Sequence, residues 1–198
     1  MGRRLALGLT GSALLAAGWS VAVRRPVPQA ELVLTRRLVG LPASWSPLVW
    51  PPMQLGSLGG GLAVAGVAGV LAARGRADPR LAQAMALAVP LAWFGGKAVK
   101  AVVRRDRPAS HLPELTPRET ATGLGFVSGH TAVTFALASV SLGLVRPGLS
   151  LTMYSSAGFV GLTRVYVGAH LPADVVGGAG LGLLAGLAST AIVTAVAR

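Results

Sequence analysis

The chain reads as an all-α protein, an integral membrane bundle of about six transmembrane helices. Three observations lead there. Hydrophobic residues make up 53% of its 198 residues and charged ones only 12%, with a mean hydropathy of +0.64. Apolar stretches of membrane-crossing length, ~20 residues each, recur along it, and basic or helix-breaking clusters separate them. The length fits a single membrane domain over residues 1–198. The absence of cysteine excludes disulfides and thiolate chemistry. A formal charge of +12 would suggest nucleic acid in a soluble protein. Here the basic residues alternate with apolar segments, so the bilayer's anionic headgroups or a phosphorylated substrate are the expected partners and nucleic acid is not.

The first span is expected over Leu5 to Val23, the second over Leu55 to Ala73 and the third over Leu81 to Val103. The fourth follows over Ser128 to Val145, the fifth over Leu149 to Val167 and the sixth over Asp174 to Val196. The first resembles a signal peptide in its Arg3-Arg4 start, but it is long and lacks a small-x-small cleavage site before Arg24, so it reads as a retained helix. The segment 24–54 reads as interfacial. Pro28 to Val39 forms an amphipathic pattern, with Leu32, Val33 and Leu38 towards lipid and Glu31, Arg36 and Arg37 towards water. Trp45, Trp50 and the neighbouring prolines suit the headgroup zone. Gly178, Gly182 and Gly186 share one helix face, as do Gly61, Ala65 and Gly69. Such stripes let helices pack closely within a bundle. The sequence leaves the oligomeric state open.

Three polar clusters interrupt this apolar frame: Lys100 to Pro108 (KAVVRRDRP), Ser128-Gly129-His130, and Arg164 to Asp174 (RVYVGAHLPAD). Ionisable groups are costly at membrane depth and call for a functional reason. With six spans, all three clusters fall on the face opposite the N-terminus. Seven of the 18 basic residues (Arg3, Arg4, Arg74, Arg76, Arg80, Arg146 and Arg198) lie on the N-terminal face. The others lie on the clustered face, so a positive-inside count does not favour an extracytoplasmic site. Many of those charges belong to the clusters themselves, where chemistry requires them, and orientation stays open.

The clusters supply the parts needed to bind and attack a phosphate. Lys100, Arg107 and Arg164 are cations for its oxygens, the arginines offering planar forks. Ser128 and Gly129 begin a helix, whose free N–H groups make an anion site. His170 lies four residues before Asp174, so one turn brings the carboxylate to one ring nitrogen and leaves the other free as nucleophile. His130, beside the anion-binding N–H groups, is placed as general acid and then base. The route is double displacement through a phosphohistidine, with neither metal nor other cofactor needed. Lys97 is the rival for the role of Lys100, and His111 reads as an ordinary loop residue. Arg104, Arg105 and Asp106 are expected to shape the loop, and Glu114, Arg118 and Glu119 to be solvated.

The order Lys-x6-Arg-Pro, Ser-Gly-His, Arg-x5-His-x3-Asp resembles the type-2 phosphatidic acid phosphatase superfamily, which includes the lipid phosphate phosphatases. It is met at Lys100, Arg107, Pro108, Ser128, Gly129, His130, Arg164, His170 and Asp174. The motifs span residues 100–174. The resemblance implies a helical bundle, a phosphohistidine at His170 and metal-independent hydrolysis. For a bacterial cell-membrane protein of this size it implies a site facing the extracytoplasmic side. The chain departs from the family pattern at Val127, where proline is usual, and at Thr163, where serine is usual. Threonine keeps the hydroxyl; valine gives up a rigid helix entry. Among substrates the resemblance suggests polyprenyl mono- or diphosphates, phosphatidylglycerol phosphate or phosphatidate. A composition heavy in Ala, Gly, Val and Arg suits a high-GC bacterium and ranks the polyprenyl carriers of wall synthesis first. A transporter or flippase that binds a lipid phosphate without cleaving it would need the cations, but not two histidines and a carboxylate.

Overall fold

The computed structural model describes residues 2–197. Among these residues there is no strand; the chain is a bundle of α-helices with a polar cap at one end. Helix α1 (Gly2–Ala22), α4 (Leu58–Ala73), α5 (Pro79–Val103), α6 (Gly129–Ser141), α7 (Pro147–Tyr166) and α8 (Pro172–Val196) lie where the six spans are expected. Between α1 and α4 come two shorter helices, α2 (Gln29–Val39) and α3 (Ser46–Met53).

Three of these helices, α1, α5 and α8, are long and apolar enough to cross a membrane. Helix α4 becomes a fourth crossing if joined to the segment 43–56, from which it bends by 68°. Among the described residues, three or four crossings thus meet the test of length and apolarity, and the count of six is not confirmed. The fourth expected span differs most. Its helix stops at Ser141, whose hydroxyl donates back to Ala138 O at 2.7 Å and pairs with Ser150 Oγ at 2.9 Å. Leu142 then turns extended and Gly143 takes a positive φ of 84°. The 13 residues of α6 are only ~20 Å long at 1.5 Å per residue.

Helix α8 is the axis of the bundle, packed between α1, α5 and α6. Its glycines serve two neighbours. A Cβ on Gly178 or Gly186 would stand 2.6 Å from Ser128 O or 2.5 Å from Ala136 O, and one on Gly182 would collide with Ala132 O of the same helix. That is the expected stripe, and it faces α6 inside the bundle. Gly180 faces the other way, where a Cβ would lie 2.6 Å from Gly11 O of α1; the Gly177 backbone lies against Gly18, while a Cβ on Gly177 would strike the Phe126 ring at 2.5 Å. In α4 the stripe is shorter than expected. Gly61 and Ala65 are buried, but nothing lies within 4 Å of a Cβ on Gly69.

The amphipathic helix α2 forms where expected, yet its faces are assigned differently. Glu31 is buried rather than wet, and Leu32 packs with Val27, Leu112 and Leu171 of the protein rather than facing lipid. The ion pair that Glu31 makes inside the protein outweighs the periodicity. Arg36 and Arg37 stay exposed, as do Trp45 and Trp50.

Candidate active site

Asp78 and Pro79 start α5: the Asp78 carboxylate accepts from Arg80 N at 2.8 Å, and proline at the first position needs no partner. Twenty-five residues later the helix ends at Arg104, in the left-handed region at φ 48°, ψ 43°. That turn leaves Lys100 on the last helical turn and directs Arg105 into the protein, where it is wholly buried. Lys100 Nζ donates to Leu124 O and Gly125 O, both at 2.8 Å. Two of its three N–H groups thus tie the loop to α5, and the third is available to a ligand.

Arg107 closes the same loop. Its Nε donates to Gly123 O (3.0 Å), Nη2 to Thr122 O (2.9 Å) and Nη1 to Ala169 O (2.6 Å). One N–H on each terminal nitrogen is left over by the donor count of a guanidinium. Burial lowers its pKa and the nearby Arg164 lowers it further, the mark of cations crowded around one space.

On the other side, α7 ends at Tyr166 and Gly168 turns the chain at φ 76°. The N–H groups of Ala169 and His170 both reach back to Arg164 O, at 3.1 and 3.2 Å. Leu171 caps α8 and Pro172 enters it at the first turn. The four-residue spacing then sets His170 Nδ1 3.3 Å from Asp174 Oδ2, which also accepts from Leu171 N at 3.0 Å. Burial pushes the pKa of His170 down to about 3, Asp174 raising it against that pull and Lys100 and Arg107 lowering it again. At neutral pH the imidazole is uncharged. With Nδ1–H directed at the carboxylate, Nε2 keeps its lone pair.

These groups line one cavity of about 450 Å³, with Lys100, Arg107, Gly129, His130, Arg164 and His170 in its wall. Lys97 and Trp93 of α5 line it too; Trp93 meets His130 edge-on at 6.4 Å between ring centroids, and Lys97 is 5.8 Å from the centre of the Phe94 ring. Asp174 stands behind His170. Ser128 is placed differently. Its N–H donates to Asp174 O at 2.9 Å, its hydroxyl accepts from Thr131 at 2.9 Å, and although it stands at the N-cap of α6 its side chain makes no capping bond. The free N–H groups at the start of α6 therefore begin at Gly129.

Three side chains outside the expected set, Arg105, Glu31 and Glu119, bond to site residues or to one another, and a fourth, Arg118, packs beside them. Arg105 donates from Nη1 to Asp174 Oδ1 at 2.8 Å and from Nη2 to Glu31. Burial alone would lower its pKa, but the two carboxylates hold it above its usual value. Glu119, expected to be solvated, forms a two-pronged ion pair with Arg164, with Oε1 3.0 Å from Nη2. It thereby occupies the fork expected to hold phosphate, while Arg164 Nε remains buried without a partner. Arg118 is not solvated either. It covers the Tyr166 ring at 4.3 Å and donates to Tyr166 O and Leu41 O, at 2.8 and 2.5 Å. Of the expected solvated set only Glu114 is exposed, paired with Arg36 at 2.8 Å. One signal for Arg105 was present: four charged residues in a row at the end of an apolar helix are too many for a solvated turn.

Comparison with known proteins places the chain in a family. The family model for the PAP2 superfamily matches residues 81–198, from the start of α5 onwards. The chain belongs to the PAP2 superfamily. Among solved structures, the transmembrane PAP2-type phosphatidylglycerolphosphate phosphatase of Bacillus subtilis has the same fold, with a TM-score of 0.75 at 23% identity over 100% of this chain and 99% of that one. LpxE of Aquifex aeolicus matches with a TM-score of 0.69 at 24% identity, over 80% of this chain and 93% of the other. A search of curated proteins gives no match.

Proposed function

We propose that this PAP2 protein is a membrane phosphatase that hydrolyses a lipid phosphate monoester or diphosphate through a phosphohistidine. The observation that carries the reading is one cavity walled by His130, His170, Lys100, Arg107 and Arg164, with Asp174 bonded behind His170. Nε2 of His170 attacks phosphorus as the bond from phosphorus to the leaving oxygen breaks, and His130 delivers a proton to that oxygen. Water then attacks phosphorus, giving up a proton to His130 as the N–P bond breaks, and releases phosphate and free His170. Lys100, Arg107, Arg164 and the Gly129 N–H spread the charge of the transferring group. Asp174 stabilises the cationic ring through Nδ1–H. Glu119 must leave the Arg164 fork as phosphate enters.

A polyprenyl phosphate or diphosphate is the first substrate in this reading, with the site on the extracytoplasmic face of a bacterial cell membrane. The apolar bundle beneath the cavity suits a substrate whose tail stays in the bilayer. Phosphatidylglycerol phosphate is the second, since one structural neighbour bears that activity in its name, and phosphatidate the third. The test is phosphate release from a panel of these lipids with and without EDTA, alongside His170→Ala. Release from one class, insensitive to EDTA and lost in the variant, supports the reading. Unchanged release by the variant, or full dependence on a divalent ion, overturns it. Lipid movement across vesicles without release would favour a transporter.

A further inference from the structure

We infer that Glu31, on the interfacial helix α2, is a positioning residue for His170, acting through Arg105 and Asp174. The inference rests on the hydrolytic reading above. Four side chains lie in series. Glu31 pairs with Arg105 Nη2, Arg105 Nη1 donates to Asp174 Oδ1 at 2.8 Å, and Asp174 Oδ2 faces His170 Nδ1 at 3.3 Å. Glu31 also accepts from Ala173 N at 2.7 Å, taking up one of the free N–H groups at the start of α8. Side-chain exposure is zero for Arg105 and Asp174 and 8% for Glu31.

Two physical arguments give Glu31 its role. The first is geometric. A guanidinium facing a single carboxylate takes both of its oxygens. Here Glu31 takes Nη2 and also accepts from Nη1 at 3.4 Å, so Arg105 reaches only Oδ1 of Asp174, and Oδ2 is kept for His170 and Leu171 N. Without Glu31 the fork is free to close on both oxygens and draw Asp174 away from the imidazole.

The second is electrostatic. Two buried carboxylates with no cation between them do not both ionise, and Arg105 removes that obstacle. Arg105 and Asp174 alone, however, are neutral as a pair. Glu31 restores one net negative charge to the buried set beside His170. When Nε2 bonds to phosphorus and Nδ1 keeps its proton, the ring becomes cationic, and that charge stabilises it. The effect grows along the reaction coordinate and leaves phosphate binding to the cations across the cavity. It belongs in kcat, with KM little changed.

The test uses the full chain in detergent or nanodiscs, with short-chain phosphatidate and farnesyl diphosphate as probes. Glu31→Gln keeps the size but places an N–H donor or a neutral oxygen against Arg105. It is expected to lower kcat about tenfold at nearly constant KM, and to do little more in an Asp174→Asn background, because both changes break one chain. Glu31→Asp keeps the charge and should recover part of the loss. An unchanged kcat in Glu31→Gln, a change confined to KM, or a loss that adds in full to that of Asp174→Asn overturns the inference. Should the glutamine variant not fold, the aspartate variant carries the test. Its reach is one methylene shorter, so kcat below wild type at constant KM supports the inference and wild-type kcat overturns it. His170→Ala distinguishes the two readings: wild-type turnover there defeats the hydrolytic mechanism itself, whereas loss there with full activity in Glu31→Gln defeats only the role of Glu31.

Discussion

The seam between α6 and α8 and the polar cap at the ends of the same two helices achieve close packing by opposite means. Along the seam, side chains are removed. Gly178, Gly182 and Gly186 bring one backbone against Ser128 O, Ala132 O and Ala136 O of the other. In the cap, charged side chains are added and each is occupied: Arg105 by Glu31 and Asp174, Arg164 by Glu119, Lys100 and Arg107 by backbone carbonyls. The seam therefore tolerates no added volume, whereas the cap is held by matched charges and bonds.

The sharpest separation of the two should come from His170→Ala. Turnover is expected to fall by about 10³-fold or more, with the melting temperature little changed, measured on one purified sample by phosphate release and thermal unfolding. Gly182→Leu should do the reverse to the seam. Overpacking costs about 1–3 kcal/mol and more where backbone cannot yield, so a marked drop in melting temperature, or loss of monodisperse protein, is expected. A stable Gly182→Leu protein would show that α6 and α8 are not locked together.

A smaller effect is expected from Glu119→Gln. Freeing the Arg164 fork of a competing carboxylate should lower KM about threefold to tenfold, seen in initial rates at varied substrate. An increase in KM would mean that Glu119 helps to hold the substrate. A last effect concerns pH. His170 has a folded pKa near 3 against an ordinary value of 6.5, so below pH 6.5 the unfolded chain binds more protons than the folded one. Its contribution to stability is full above pH 6.5 and is lost as pH falls towards 3. The melting temperature of the ligand-free protein should decline over that window, and His170→Ala should decline less.

What the sequence made legible follows from what is local in it. Residues bound by short spacings, such as His170 with Asp174 or Lys100 with Arg107, are expected together and stand together. The bundle itself follows from apolar runs and breakers, because each helix is a local object. The pairs Glu31–Arg105 and Glu119–Arg164 are 74 and 45 residues apart, and nothing in either neighbourhood marks its partner. Periodicity even sends Glu31 the wrong way, since an acid on an amphipathic helix faces water unless a buried cation waits for it. The end of α6 at Ser141 is likewise a tertiary matter, decided by a hydroxyl contact with Ser150 on the next helix.

The glycine seam also bears on how the protein meets bilayers of different thickness. Helix α6 starts with Gly129 and His130, and α8 starts with Pro172 and carries Asp174 in its first turn. Because their backbones interlock below those starts, tilting or sliding in the membrane carries both helices as one rigid yoke. The spacing between His130 and the Asp174–His170 pair is thereby insulated from the lipid around it.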